Sequence, residues 1–339
     1  MRILSSLLFL SMVTATVSAQ QRGVIGTTGT KDPSAAQKWA IVIGVGDYVD
    51  ESIGDLPNAV RDARAVRDML VTMPDGFPAG NVLLLTDGEG QSREPTRGNI
   101  MRYLRSRLGL AGPDDTVLVY FAGHGTTEDG KLFLLPRDAA LSDLKFTGFP
   151  FEEAKKIIDN SPSKKKIFIL DACHSGTGRA TETLTREAAR DLERASEGFI
   201  VLASCKAKQQ SHEMPGSGHG AFTYFLLQGM TGEADYDKNG YLSATELSLY
   251  TWDKTRRWAS EQGFEQTPLR MEKVSGDIFI ARTGGKIPGQ TAPQQSVEDA
   301  LANIKIPKAK PGSKDARAET LLNFFDTVQT LLDDPTKKK

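Results

Sequence analysis

The sequence is short of several residue types, and each shortage excludes something. Among 339 residues there are two cysteines, Cys173 and Cys205. That is too few for a disulfide framework or for a multi-cysteine zinc site. The net charge is −1, so no basic surplus directs the chain to nucleic acid or to an acidic membrane surface. After the first nineteen residues no apolar run is long enough to cross a bilayer. The turn Gly44-Val45-Gly46-Asp47-Tyr48 lacks the third glycine of a dinucleotide fingerprint, and that reading is dropped. Histidines number four, so one held inside a motif stands out.

What is present begins with a leader. Arg2, the apolar stretch Ile3 to Val13 and the small-residue site Val17-Ser18-Ala19 make residues 1–19 a secretory signal peptide, with Gln20 the expected mature start. No cysteine follows to take a lipid anchor. The expected location is periplasmic or extracellular, without a membrane anchor. Residues 20–37 read as a disordered lead-in, 284–314 as a Pro/Gly/Lys/Gln linker, and 315–339 as an amphipathic helix, Ala318 to Leu332, with a tail.

Between these, apolar runs alternate with helical periodicity. Strands are expected at Lys38 to Val45, Asn81 to Thr86, Thr116 to Phe121, Lys166 to Leu170, Gly198 to Ala203 and Asp277 to Ala281, with a short arm at Lys131 to Leu135. Helices are expected at Asp55 to Val71, from a Thr96 cap to about Leu108, from Phe151 to Ile158, from Gly220 to about Thr231 and from about Ala244 to Gln262. This order predicts an α/β fold with a mostly parallel central sheet flanked by helices.

Two of these strands end in chemistry. Thr116 to Phe121 runs into Ala122-Gly123-His124-Gly125, and Lys166 to Leu170 into Asp171-Ala172-Cys173-His174-Ser175-Gly176. Strand ends of one parallel sheet share an edge, where open α/β sheets keep their sites. The expectation is a thiol nucleophile, Cys173, served by the base His124. The N–H groups of Gly125 and Cys173 are candidates for an oxyanion hole. A lone cysteine is usually an apolar core filler; the two motifs together argue otherwise. His174 is the competing base, but neighbouring side chains point apart.

Those two motifs resemble the caspase-like cysteine peptidases, specifically metacaspases and their bacterial relatives. Phe199-Ile-Val-Leu-Ala-Ser, Gly218-His-Gly-Ala-Phe-Thr-Tyr and Gln266-Thr-Pro are similar to the bacterial branch. The resemblance covers about residues 38–282. It implies the caspase-like (caspase-haemoglobinase) fold over 38–283, with a large-subunit-like part, 38–176, and a small-subunit-like part, 197–283. It implies hydrolysis of peptide bonds in protein or peptide substrates through a thioacyl intermediate. Metacaspases carry Asp at the place of Asp171 and cleave after Arg or Lys. The resemblance makes Asp171 and Asp62 the acids of that pocket, while Ala122 stands where metacaspases carry Ser. The charged insert 177–197, with Arg179, Arg186, Arg190 and Arg194, reads first as a solvated helix, and the resemblance would also allow self-cleavage after one of these arginines. The alternative to an enzyme is a caspase-fold interaction module with a vestigial site. Gingipain-like and clostripain-like peptidases are alternatives within the fold.

A separate motif concerns metal. Residues 235–246 fit the twelve-residue calcium loop, with side-chain oxygens at Asp235, Asp237, Asn239, Ser243 and Glu246, a carbonyl at Tyr241 and glycine at Gly240. Ca2+ is the expected ion. A polar turn with a helix cap is the plainer reading. The resemblance also puts Asp138 in the place of one acid of a different, metacaspase-type calcium cluster, although the paired acids expected to follow it are not evident near Thr147 to Phe151.

Overall fold

The computed structural model describes residues 36–174, 198–205, 209, 211–274 and 276–284, and for residues 173 and 174 the main chain only. The expected signal peptide, most of the lead-in, the insert, the linker and the C-terminal helix lie outside the described residues.

The central sheet has eight strands. β1 (Lys38–Gly44), β2 (Val82–Thr86), β3 (Thr116–Glu128), β6 (Lys165–His174), β7 (Phe199–Ala203) and β11 (Leu269–Lys273) run in the order 2-1-3-6-7-11, while β4 (Lys131–Leu134) and β5 (Phe149–Pro150) extend it beside β3. β1, β2, β3, β6 and β7 pair in parallel; β11, β4 and β5 join antiparallel. Two ribbons lie apart, β8 (Glu213–Met214) with β9 (His219–Gly220), and β10 (Tyr241–Ser243) with β12 (Phe279–Arg282).

Alternation along the strands fills both faces. Ile41, Ile43, Val119, Phe121, Phe168 and Leu170 share one core with Leu104 of α2 (Arg97–Leu108) and Ile158 of α4 (Phe151–Asp159); the four-residue α3 (Leu144–Thr147) adds Leu144. Ala40, Val42, Leu118, Tyr120, Ile167 and Ile169 share the other with α1 (Pro57–Thr72), α5 (Ala221–Gln228) and α6 (Ala244–Glu261). Both faces being covered is why the strands read as continuous apolar runs. Gly44 lets α1 close on β1: a Cβ there would lie 2.6 Å from Ala63 Cβ and 2.7 Å from the Ala59 carbonyl oxygen. That contact seats the next helical positions, Asp62 among them, over the sheet.

Three expectations need correction. β3 does not stop at Phe121 but continues through Gly123-His124-Gly125 to Glu128, because β4 folds back on it from Gly125 onward. β6 likewise continues past Asp171 to His174. The last strand, Phe279–Arg282, belongs to the small ribbon with β10 and not to the central sheet. Leu269–Lys273, to which the sequence reading assigned no element, is an edge strand of the central sheet.

Candidate active site

The chain leaves β1 toward β2 on one side and later returns to place β3 on the other, so a crevice opens beyond the carboxyl ends of β1 and β3. Tyr48, just after β1, and His124, on β3, meet there. The Tyr48 hydroxyl accepts the His124 backbone N–H at 2.8 Å and donates to the Val45 carbonyl at 3.4 Å, and the two rings stand 5.2 Å apart. His124 is 5% exposed. Its Nε2 lies 2.8 Å from the Gly54 carbonyl oxygen. A carbonyl only accepts, so Nε2 carries a proton in this contact.

The register of β3 and β6 then brings the two motifs together: Ala122 is opposite Asp171, His124 opposite Cys173, and Gly125 opposite His174. Neighbouring strands are about 4.8 Å apart, so the main chains of His124 and Cys173 are as close as separate strands allow. Gly125 is in register with Leu134 on its other side. Because the His124 N–H and C=O both point toward Tyr48 and Leu135, those of Gly125 point toward β6. Its N–H therefore faces the ladder and not open solvent, which differs from the sequence reading.

One turn deeper, two carboxylates converge. Asp171, on β6, is 4% exposed and Asp62, on α1, is 3% exposed. Thr223 donates to Asp171 Oδ2 at 2.6 Å and stands 2.7 Å from the Tyr120 hydroxyl; Ser211 donates to Asp171 Oδ1 at 3.5 Å. Gln266, itself buried, donates to Ser211 Oγ at 3.1 Å and to the Ser204 carbonyl at 3.2 Å. Asp62 takes His219 Nδ1–H on Oδ1 at 2.6 Å and the Gly220 N–H on Oδ2 at 3.1 Å. Burial pushes the Asp62 carboxyl up against the pull of His219. Burial, and then the charge of Asp62, raise Asp171 to about 7. A Cβ on Gly220 would lie 3.3 Å from Asp62 Oδ2 and 3.5 Å from Asp171 Oδ2, so both acids face one point above that glycine. A surface cleft of about 1020 Å³ lies elsewhere, lined by Arg105, Lys131, Glu153 and Ile157 among others.

Comparison with known proteins matches the caspase-domain family model to residues 37–277. The chain belongs to the caspase-domain family. Curated relatives are metacaspases: it is 24% identical to Metacaspase-1A of Aspergillus oryzae over 66% of this chain and 56% of that protein, and 30% identical to Metacaspase-3 of Arabidopsis thaliana over 42% and 40%. The chain thus matches less than two thirds of the length of these relatives. The solved structure of pro-sf-caspase-1 is 13% identical, covers 72% of this chain and 94% of that one, and superposes with a TM-score of 0.49. The family and the observed sheet together establish the caspase-like α/β fold.

The remaining expected residues of this caspase-domain chain fall as follows. Asp138 Oδ1 accepts the Arg97 N–H at 2.7 Å and anchors the start of α2. In the 235–246 loop, carboxylate oxygens of Asp235, Asp237 and Glu246 lie within 4.8 Å of one another. Asp235 Oδ1 accepts the Asn239 N–H and its Oδ2 the Gly240 N–H; Asn239 Oδ1 accepts that of Tyr241. Ser243 and Glu246 form a capping box on α6. Lys238 and Gly240 take the left-handed backbone that bends the loop, with φ of 55° and 81°. This hard-oxygen donor set suits Ca2+. Cys205 is buried and free, and burial pushes its thiol to about 12, so it is an inert filler.

Sequence reasoning missed Tyr48, Gly54, Thr223, Ser211 and His219. Tyr48 and Gly54 act from an irregular segment between β1 and α1, which no periodicity marks. Thr223, His219 and Gln266 lie in segments already noticed as family-like, without a role.

Proposed function

We propose that the chain is a cysteine endopeptidase that cleaves after Arg or Lys. The observation that carries this is the register of His124 with Cys173 on adjacent strands, one step from a buried pair of acids. Cys173 as thiolate attacks the scissile carbonyl; His124, with Nε2 bonded to the Gly54 carbonyl, takes the thiol proton at Nδ1 and returns it to the leaving amine. A water then hydrolyses the thioester with the same histidine as base. Release of the Gly125 N–H from the β3–β6 ladder supplies a donor to the oxyanion. Asp62 and Asp171 receive the cationic side chain before the cleaved bond. The test is hydrolysis of fluorogenic peptides ending in Arg, Lys or Gln. Cys173→Ala and His124→Ala are each expected to lower kcat by about 10³-fold or more. Equal rates from wild type and Cys173→Ala leave the interaction-module reading in its place.

Two further proposals attach to this reading. Residues 235–246 hold Ca2+ through Asp235, Asp237, Asn239, Ser243 and Glu246 and the Tyr241 carbonyl; terbium luminescence sensitised by Tyr241, and its loss in Glu246→Gln, tests this. Residues 1–19 direct export; amino-terminal sequencing of secreted protein should begin at Gln20.

A further inference from the structure

The pair of acids poses a question that its proposed use does not answer. Both are sealed, at 3% and 4% exposure, yet they are to receive a cation from outside. The group bonded to Asp62 from the more exposed side is His219, whose side chain is 13% exposed against 5% for Asp62. Its Nδ1–H occupies Oδ1 as a substrate N–H would. His219 is carried by the ribbon of β8 and β9, two residues a strand, turned through the left-handed glycines Gly216 and Gly218. Gly220, next to it, has an ordinary φ of −60°. Its lack of a side chain is therefore used for space, where Asp62 Oδ2 and Asp171 Oδ2 converge.

We propose that His219 is a specificity-determining residue: an internal donor seated on Asp62, which the guanidinium or ammonium of a basic substrate displaces to reach the point above Gly220 shared with Asp171. This rests on the proposed preference for Arg and Lys. Without His219, Asp62 would keep the Gly220 N–H on Oδ2 but lose the donor on Oδ1, a costly state for a buried carboxylate, so His219 keeps the pocket stable while it waits. A neutral side chain offers nothing in exchange for that bond, and the pocket stays shut to it. Discrimination thus comes from a competition for Asp62 as well as from attraction.

The test uses agmatine, a guanidinium compound that needs no turnover, titrated calorimetrically into the full-length chain. His219→Ala removes the competitor, and agmatine should bind about tenfold more tightly. His219→Gln, which keeps a donor of similar reach, covers the case in which the alanine variant does not fold, and should fall between the two. Gly220→Ala leaves every charge in place but puts a methyl between the acids, and should weaken binding. With peptides, His219→Ala should lower KM for Arg and Lys substrates and leave KM for a Gln substrate where it was. Equal or weaker agmatine binding by both His219 variants overturns the proposal and makes the histidine an orienting partner of Asp62. Undiminished binding by Gly220→Ala, or no binding by any form, also overturns it. Agmatine binding that follows the expected order, in a protein that cleaves no peptide, upholds the competition and removes the endopeptidase.

Discussion

The molecule has two clusters of acids, and they are built on opposite principles. Asp235, Asp237 and Glu246 sit on a surface loop and spend their oxygens on backbone N–H groups of that same loop. Such bonds shape a turn and hold a helix end whether or not an ion is present. Asp62 and Asp171 come from different elements, α1 and β6, and meet in the interior, where burial raises the cost of charge on both and the charge of Asp62 raises it further on Asp171. Neighbouring hydroxyls, one imidazole and one glycine N–H soften that cost without removing it. Carboxylates on a surface turn serve its folding; carboxylates whose burial outweighs the donors they have mark a candidate site for a cation.

The sharpest way to break this comparison is to neutralise one buried acid. Asp171→Asn keeps the shape and can still accept from Thr223. It should lower kcat/KM for Arg and Lys peptides by about 10²-fold, while stabilising the fold by on the order of 1–3 kcal/mol at pH 8. Effects of opposite sign would mark an acid that serves binding and not packing. The gain in stability depends on pH. Asp171 is raised from an ordinary value of 3.8 to about 7, so between these values the unfolded chain ionises first and native stability falls as pH rises. The cost is complete above pH 7 and absent below 3.8. Thermal melts should therefore separate wild type from Asp171→Asn at pH 8 and bring them together near pH 4. A variant less stable than wild type at pH 8 would make Asp171 an ordinary structural acid.

The next effect is smaller and needs no mutation. Ionised Asp171 attracts a cation and protonated Asp171 does not. With Asp171 raised to about 7, the ratio of kcat/KM for an Arg peptide to that for a Gln peptide should rise about fivefold from pH 6 to pH 7, reach about tenfold in all by pH 8 and level above that. Taking the ratio cancels the titration of Cys173 and His124, which both substrates share. A flat ratio would detach Asp171 from specificity.

How far the sequence disclosed these features follows from how local each one is. The strands and the two main faces could be read from apolar runs and helical spacing, and the Thr96 cap appears where expected, with its side chain accepting the Asn99 N–H. The approach of His124 and Cys173 follows from any parallel pairing of their strands. Their exact register does not, since it depends on β4 folding back on β3 and extending it. The edge strand at Leu269–Lys273 was hidden because its residues are only partly buried and alternate weakly. The network from Gln266 through Ser211 to Asp171 joins residues far apart in the chain by side-chain contacts, and spacing rules say nothing about such contacts.

The surface cluster supplies the gentlest test. Glu246→Gln weakens the capping box at the start of α6, where Glu246 Oε2 accepts the Ser243 N–H at 3.0 Å; the expected loss is about 0.5–1 kcal/mol without added metal. Asp237→Asn leaves an oxygen for the Asn239 N–H and should stay within about 0.5 kcal/mol of wild type. Neither should alter the Arg-to-Gln ratio. If Ca2+ binds, wild type alone should gain stability as its concentration rises, following the ordinary linkage of ligand to folding, and Glu246→Gln should gain little. The two clusters would then differ in a further respect: the buried pair would set which side chain is accepted, and the surface trio, of which Asp237 is the exposed member, would set how firmly α6 is tied to the ribbon of β10 and β12. A change in specificity on adding Ca2+, abolished by Glu246→Gln, would join the two through α6, which packs against both β10 and α5. The separation drawn between them would not survive that result.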